Sequence, residues 1–565
     1  MKQIKSWKKL SFGATLLSLC CFISHAALAE SDKTFSLKFN PGNYTKEDIL
    51  DHGKTIRIRS YKYLIYVAHP VDVDYQYMHF YVPEAYFRGK SVNGYTAQTA
   101  PVFFVNSVGG YMPAEPATPE DKPWDFSNRS AHGKGGRGGP PPGKSGAGGF
   151  SGSMSFGGGA GGGSGGGREG GGPSGGAPDM GAGGPGAGMP PEGRPPMGNM
   201  PGNDHPNAVF EALAHGYVVA APGARGRNLQ NEEGNYYGKA PAAIIDLKAA
   251  VRYLHYNDKL MPGDAQKIIS NGTGSGGSLS ALLGATGDHP DYELYLRELG
   301  AAEASDAVFA ASCYCPITDL EHADMSYEWL FNEETTYPDD GYVSRLGRKE
   351  KKISGLLKEQ FPPYLNSLGL KTSGGQLLSL DASGNGSFKD YLISLIIDSA
   401  QKALSRGLNL SQYPWIHVEN GTVVALDFDA YIHFAGRKKT PPAFDSLKLK
   451  SPENSLFGTD TIDALHFTAF SAEQSRNAPV ADSSVIKMMN PLYYIGQPGS
   501  LTAPFWRIRH GTLDRETSLA IPLILATDLE NNGASVDMEY AWGQPHSGDY
   551  DLPELFTWVD SLCSE

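Results

Sequence analysis

Apolar positions along the chain fall into short blocks with two distinct periods. Between Leu37 and about Val92, TIRIRSYKYLIYVAH and YMHFYVP are rich in β-branched and aromatic residues with partial alternation, which predicts half-buried strands. APVFFVNSVGGYM predicts a buried strand that runs into the double glycine Gly109-Gly110. Order resumes at Asn207. AVFEALAHG predicts a helix closed by Gly216, YVVAAPGARG a buried strand and turn, and AAIIDLKAAVRYLHYN an amphipathic helix. Next, Lys267–Gly284, KIISNGTGSGGSLSALLG, reads as strand, very tight turn and helix, and DAVFAASCYCP as another buried strand. Alternating strands and helices predict an α/β fold with a mainly parallel sheet covered on both faces.

From about Thr318 to Pro491 the rhythm breaks. Long helical patterns such as FKDYLISLIIDSAQKALSRG mix with polar loops, as expected of an insertion lying over the sheet. At Ala503 the alternation returns: PFWRIRHG predicts a strand, AIPLILATDLENNG a helix ending at Gly533, SVDMEYAW a strand, and LPELFTWVDSL a closing helix. From about Ala131 to Asn203 the chain is almost pure Gly, Pro, Ser and Met, which cannot bury enough apolar surface to offset its ordering entropy, so a disordered loop is expected. Within it GGPPPGKS, residues 138–145, matches the phosphate-binding loop pattern, but Pro140, Pro141 and Pro142 carry no N–H to cradle a phosphate. The expected division of the 565 residues is therefore 1–29, a targeting segment; 30–130, core; 131–204, the Gly/Pro-rich insert; 205–317, core; 318–500, a mostly helical lid or substrate-binding insertion; and 501–565, core.

Charge and cysteine content narrow the chemistry. Residues 1–29 carry Lys2, Lys5, Lys8 and Lys9, an apolar run from Phe12 to Ile23, and Ala27-Leu28-Ala29, the pattern of a secretory signal peptide cleaved after Ala29. A secreted or periplasmic protein is expected. The apolar run is short for a bilayer span and no later stretch exceeds it, so no integral membrane span is expected. Loss of those lysines takes the formal charge from −13 to −17, which argues against a nucleic-acid partner. Cys313, Cys315 and Cys563 are too few for a disulfide framework; Cys313 and Cys315 read as small core residues on one strand, and neither a metal nor a cofactor is expected.

The glycine-packed turn satisfies two patterns. Gly272, Gly274 and Gly277 spell G-x-G-x-x-G, a dinucleotide motif, whereas Ser275 in T-G-S-G-G approximates G-x-S-x-G, a nucleophile elbow. A dinucleotide site needs a strand ending in an acidic residue about 20 residues later, and DHPDYELYLRELG is charged and helical instead. A hydrolase needs an acid after one late strand and a histidine after the next. Asp514 in HGTLD and His546 in QPHSGDYD stand at those places. Taken singly, Ser275 is a small turn residue, Asp514 a helix cap and His546 a structural histidine; in this order and on these element ends they form a candidate catalytic triad. His510 lies on the acid's own strand and reads as structural. In such a triad the N–H of Gly276, directly after the nucleophile, would help hold an oxyanion.

APVFFVNSVGGYM, YVVAAPGARGR, IISNGTGSGGSLSALLGATG, CPITDLEHADMSYEW, TPPAFDSL with SPENSLFG, RIRHGTLDRETSLAIPLILAT and PHSGDYDLPELF together resemble bacterial tannases, esterases of the α/β-hydrolase fold that cleave galloyl esters. The resemblance covers nearly all of the chain outside the first residues and the Gly-rich segment. It implies the triad Ser275, Asp514 and His546 acting through an acyl-enzyme, an oxyanion donor from Gly109 or Gly110, and a helical lid. It also places the galloyl-contacting lysine at Lys439, the glutamate at Glu453 and the second carboxylate, usually aspartate, at Glu516. Two departures stand out. The family's elbow reads G-T-S-x-G-G, so an ungapped match puts Gly274 at the nucleophile with Ser275 one residue late, and Glu516 is one methylene longer than aspartate. The expected partner is a small aromatic ester. The alternatives are a feruloyl-type or other aromatic carboxylester hydrolase, and a non-catalytic polyphenol-binding protein if Ser275 is misplaced.

Overall fold

The computed structural model describes residues 34–121, 207–339, 342–476 and 478–563. The expected signal peptide and the Gly/Pro-rich insert lie outside these residues, as does the GGPPPGKS motif. Nine strands form one sheet: β1 (Thr45–Asp51), β2 (Lys54–Ile65), β3 (Tyr77–Pro83), β4 (Pro101–Asn106), β5 (Val218–Pro222), β6 (Asp264–Thr273), β7 (Ala310–Tyr314), β12 (Phe505–Gly511) and β13 (Ser535–Ala541). Two hairpins outside it, β8 (Thr336–Asp339) with β9 (Tyr342–Arg345) and β10 (Ile416–Glu419) with β11 (Thr422–Leu426), interrupt the helices between β7 and β12. That segment was expected to be helix and loop. The hairpins are short and their residues largely exposed, so they carry little apolar signal.

Strand order is β1-β2-β3-β5-β4-β6-β7-β12-β13. The first three strands pair antiparallel, and β5 through β13 run parallel to one another. This is the α/β-hydrolase fold. β4 lies between β5 and β6, so the chain reverses its direction of travel across the sheet there, and the crevice at the carboxyl ends of β4 and β6 is where such a sheet presents a ligand site. Parallel strands need both faces covered, and β5 and β7 are buried along their whole length, which is why they read as continuous apolar runs.

Helix Ala242–Tyr256, expected to be amphipathic, is buried from Ala242 to Leu254. Its charged side chains are paired inside the protein and do not mark a solvated face. Arg225 donates to Asp246 at 2.8 Å, Gln76 donates to the same carboxylate at 2.8 Å, and Lys248 meets Asp306 at 2.6 Å. Helix Ser275–Ala285 is buried throughout, and a Cβ on Gly284 would lie 2.6 Å from the Trp506 ring of β12. Small residues therefore let this helix lie close on the strand layer below it.

Candidate active site

The turn after β6 is built from glycines because its backbone is packed on three sides. A Cβ on Gly272 would come within 2.5 Å of Gly276, one on Gly276 within 2.7 Å of the Asn106 carbonyl of β4, and one on Gly277 within 2.5 Å of the Tyr314 carbonyl of β7. The G-x-G-x-x-G spacing thus records close helix–strand packing, and the dinucleotide reading falls away. Gly274 is the apex: its φ of 61° and ψ of −120° are a conformation that a residue with a side chain holds only under strain. A Cβ built on Gly274 would lie 2.9 Å from Nε2 of His546. The apex of the turn, the residue His546 faces, is therefore glycine.

Ser275, expected to be the nucleophile, stands one helical step after the apex. It is the first residue of helix Ser275–Ala285, and a step of about 100° around the axis turns its side chain inward. Its Oγ donates to the Val108 carbonyl at 3.1 Å and accepts from the Tyr111 N–H at 3.3 Å. With Gly274 at the apex, the N–H directly after it belongs to Ser275, not to Gly276 as expected, and heads the helix where anionic charge is favoured. Gly110, with φ of 58°, lines one cavity with Gly274, Ser275 and His546, and its carbonyl is fixed by the Arg227 side chain at 3.0 Å. Gly109 is set back from the cavity, its carbonyl accepting from Met112 at 3.1 Å.

Asp514 and His546 come together. Oδ2 of buried Asp514 accepts from Nδ1 of His546 at 2.7 Å, and Oδ1 accepts the Glu516 N–H at 2.8 Å. Burial alone would raise the Asp514 carboxyl, but the adjacent His546 and His510 outweigh it and hold Asp514 well below the usual carboxylate range. The acid stays ionised and fixes the imidazole with Nε2 turned toward the apex. His510 lies on the other side, its Nε2 3.7 Å from Asp514, and burial pushes it down to about 4, so it is neutral. Cys315, His510 and Asp514 offer donor atoms within 4.8 Å of one another. This donor set does not suit a cation, because burial keeps the Cys315 thiol protonated and Asp514 is committed to His546.

The loop carrying His546 is clamped to several strand ends. Asn271 of β6 donates to Asp549 at 3.0 Å, the Cys315 thiol donates to the Ser547 carbonyl at 3.4 Å, and Tyr314 donates to Asp551 at 2.5 Å. Arg507 of β12 also bonds Asp551. None of these contacts involves Gly274.

His546 opens into a cavity of about 530 Å³ lined also by Gly274, Lys439, Glu453 and Glu516 among others. Lys439, on the approach to Phe444, lies 4.1 Å from that ring's centroid and 3.6 Å from Glu516, and its backbone N–H donates to the Tyr327 hydroxyl at 3.0 Å. Glu453 sits in the first turn of helix Pro452–Leu456, where burial raises its carboxyl against the pull of Lys439 and Arg227. For Glu516 burial also works upward, but Lys439, Lys438 and His546 prevail and keep it low. Lys438, which bonds Glu516 and lines the cavity, went unremarked in the sequence; its pairing with Lys439 in GRKKT was the available signal. Tyr111 was missed as well. It is buried at φ of 55° beside the double glycine, and no local pattern announces it.

A family model described as BD-FAE matches residues 201–358. No curated protein matches the sequence. Among solved structures, the tannase of Fusobacterium nucleatum is 43% identical, with a TM-score of 0.76 over 94% of this chain and 99% of that one. The native tannin acyl hydrolase from Lactobacillus plantarum is 38% identical, with a TM-score of 0.77 over 93% and 99%. The chain belongs to the tannase family. A tannin acyl hydrolase in complex with ethyl gallate is also similar, at 38% identity and a TM-score of 0.76 over 93% and 99%. Within this tannase-family chain the acid, the histidine and the three cavity residues stand together, and the apex of the elbow is glycine. Among the described residues no helix is long and apolar enough to cross a membrane.

Proposed function

We propose that this tannase-family protein is a carboxylic ester hydrolase acting on galloyl esters, exported from the cytoplasm of its source cell. One observation carries the reading: His546, held by Asp514 behind it, faces a cavity whose wall brings an ammonium, Lys439, and two carboxylates, Glu453 and Glu516, to one place. A trihydroxyphenyl ring needs donors and acceptors around its rim and an apolar surface for its face, and these residues supply the former. Ethyl gallate bound to a relative of this fold supports the same substrate class. His546 acts as general base and then general acid, Asp514 holds its tautomer and stabilises the imidazolium, and the N–H at Ser275 meets the developing oxyanion. Export rests on the pattern of residues 1–29, and a mature protein beginning at Glu30 is the outcome that N-terminal sequencing should give.

A second reading, in which the cavity binds polyphenols without cleaving them, is favoured by Gly274 at the apex. Gallate release from methyl gallate, compared with ferulate release from methyl ferulate, separates the possibilities. Gallate release that disappears in His546→Ala supports the proposal. Ferulate release alone would select a feruloyl-type esterase, and tight binding without release from either ester would select the binding protein.

A further inference from the structure

The loop that carries Asp514 is held by two tyrosines from the segment between β7 and β12. Tyr431, of helix Phe428–Ala435, donates its hydroxyl proton to the Thr512 carbonyl, and Tyr327, of helix Leu320–Phe331, donates to the Arg515 carbonyl at 3.1 Å. Both side chains are buried, and burial pushes both phenols up, so each keeps the proton it donates. The two carbonyls flank Asp514 in the chain, so the acid sits between two pins. The Tyr327 hydroxyl also accepts the backbone N–H groups of Lys438 and Lys439, each at 3.0 Å. Two N–H groups can only donate and one carbonyl can only accept, so the partners fix the direction of every bond at this oxygen. Residues 438 and 439 return to the acid's loop through their side chains: Lys438 bonds the Glu516 carboxylate, and Nζ of Lys439 lies 3.6 Å from it. Glu516 in turn gives its N–H to Oδ1 of Asp514 at 2.8 Å.

We propose that Tyr327 and Tyr431 are positioning residues that join the Lys439–Glu516 wall of the cavity to the acid Asp514. A hydroxylated ring seated on that wall then steadies the acid, and its hydroxyls are recognised in the rate of hydrolysis as well as in affinity; this rests on the hydrolase reading above. The path is short and built of direct bonds. A ring hydroxyl held by the Glu516 carboxylate restrains the residue whose own N–H holds Oδ1 of Asp514. A second hydroxyl held by Lys439 restrains a residue whose N–H is bonded to Tyr327, and that tyrosine holds the carbonyl directly after Asp514. Binding energy from a part of the substrate remote from the reacting carbonyl thus goes into alignment of the catalytic groups, which raises kcat and does not merely lower KM. An ester with a bare phenyl ring meets the same His546 but leaves the wall unengaged.

The test measures kcat and KM of wild type, Tyr327→Phe, Tyr431→Phe and His546→Ala on methyl gallate and methyl benzoate, beside urea unfolding of each protein. Phenylalanine at 327 keeps the ring, whose centroid lies 4.8 Å from that of Phe331, and removes the hydroxyl alone. Wild type is expected to show a higher kcat on methyl gallate than on methyl benzoate. Tyr327→Phe is expected to shrink that ratio of kcat values by about 10-fold or more, the scale on which a small misplacement of a catalytic group is felt. Tyr431→Phe should shift the ratio in the same direction. A merely structural role would slow both esters alike and leave the ratio in place. An unchanged ratio in folded Tyr327→Phe, or a wild type with no kcat preference for the hydroxylated ring, overturns the coupling and leaves the hydrolase reading standing. Gallate binding with no His546-dependent turnover of either ester removes the hydrolase reading and the coupling with it. Should Tyr327→Phe fail to fold, the Tyr431→Phe ratio and the wild-type preference decide the matter.

Discussion

Asp514→Asn isolates what the acid contributes, because it preserves shape and removes charge. In the native protein the carboxylate accepts from Nδ1 at 2.7 Å, so the imidazole exposes an acceptor nitrogen to the apex. An amide can present its N–H₂ to Nδ1, which makes Nδ1 the acceptor and leaves Nε2 as an N–H that cannot take a proton. The charge term adds to this. With the imidazolium centre about 4 Å from the carboxylate in surroundings of effective dielectric about 20, the lost attraction is roughly 4 kcal/mol, or about 10³-fold in rate. The wrong tautomer extends the loss toward about 10⁴, the size seen when the triad acid of a serine protease is amidated. Asp514 does not line the cavity, so the Kd for gallate should hold. The assay is gallate release from methyl gallate beside calorimetric binding of gallate. Asp514→Asn combined with His546→Ala should be no slower than His546→Ala alone, since the pair acts as a unit. Activity of Asp514→Asn within threefold of wild type would refute the role given to the pair.

Three other outcomes follow from the same geometry. Lys439→Met should weaken gallate binding at neutral pH by about 10-fold or more, the worth of one charged hydrogen bond, as read by calorimetry. His510 is neutral in the fold with a pKa near 4 and would sit near 6.5 unfolded, so the unfolded chain binds more protons below pH 6.5. Stability should therefore be unaffected by this group above pH 6.5 and fall by roughly 3 kcal/mol as the pH drops from 6.5 to 4; urea unfolding of His510→Gln should show a shallower acid slope over that range. Gly284→Val places a branched side chain where a Cβ already lies 2.6 Å from the Trp506 ring and 2.9 Å from the Ala311 Cβ, and should cost at least about 2 kcal/mol and lower Tm, with altered Trp506 fluorescence.

Most of the fold was legible because parallel strands are buried on both faces and announce themselves as apolar runs, with helices between them. Asp514 and His546 were legible for a related reason: they follow β12 and β13, and the ends of parallel strands gather functional groups. The helix Ala242–Tyr256 was misread as half-exposed because Asp246, Lys248 and Arg252 look like a solvated face until their partners, distant in sequence, are known. Ser275 was the harder case. T-G-S-G-G presents only one serine, and a string of letters does not say which residue of a five-residue turn is the apex; a positive φ at Gly274 and the direction of the His546 ring decide it. Lys438 and Tyr111 belong to the same class, being placed by contacts across the chain and not by local pattern.

The clamps on the histidine loop bear on how such a site can change over time. Asn271, Tyr314, Cys315 and Arg507 secure residues 547–551 through side chains other than that of residue 274, so the base does not depend on the apex side chain for its position. A lineage could exchange the apex between glycine and serine in one substitution and keep the rest of the machinery standing in either state. The fold thus tolerates either residue at the apex, and a population carrying Gly274 remains one substitution away from a serine at that place.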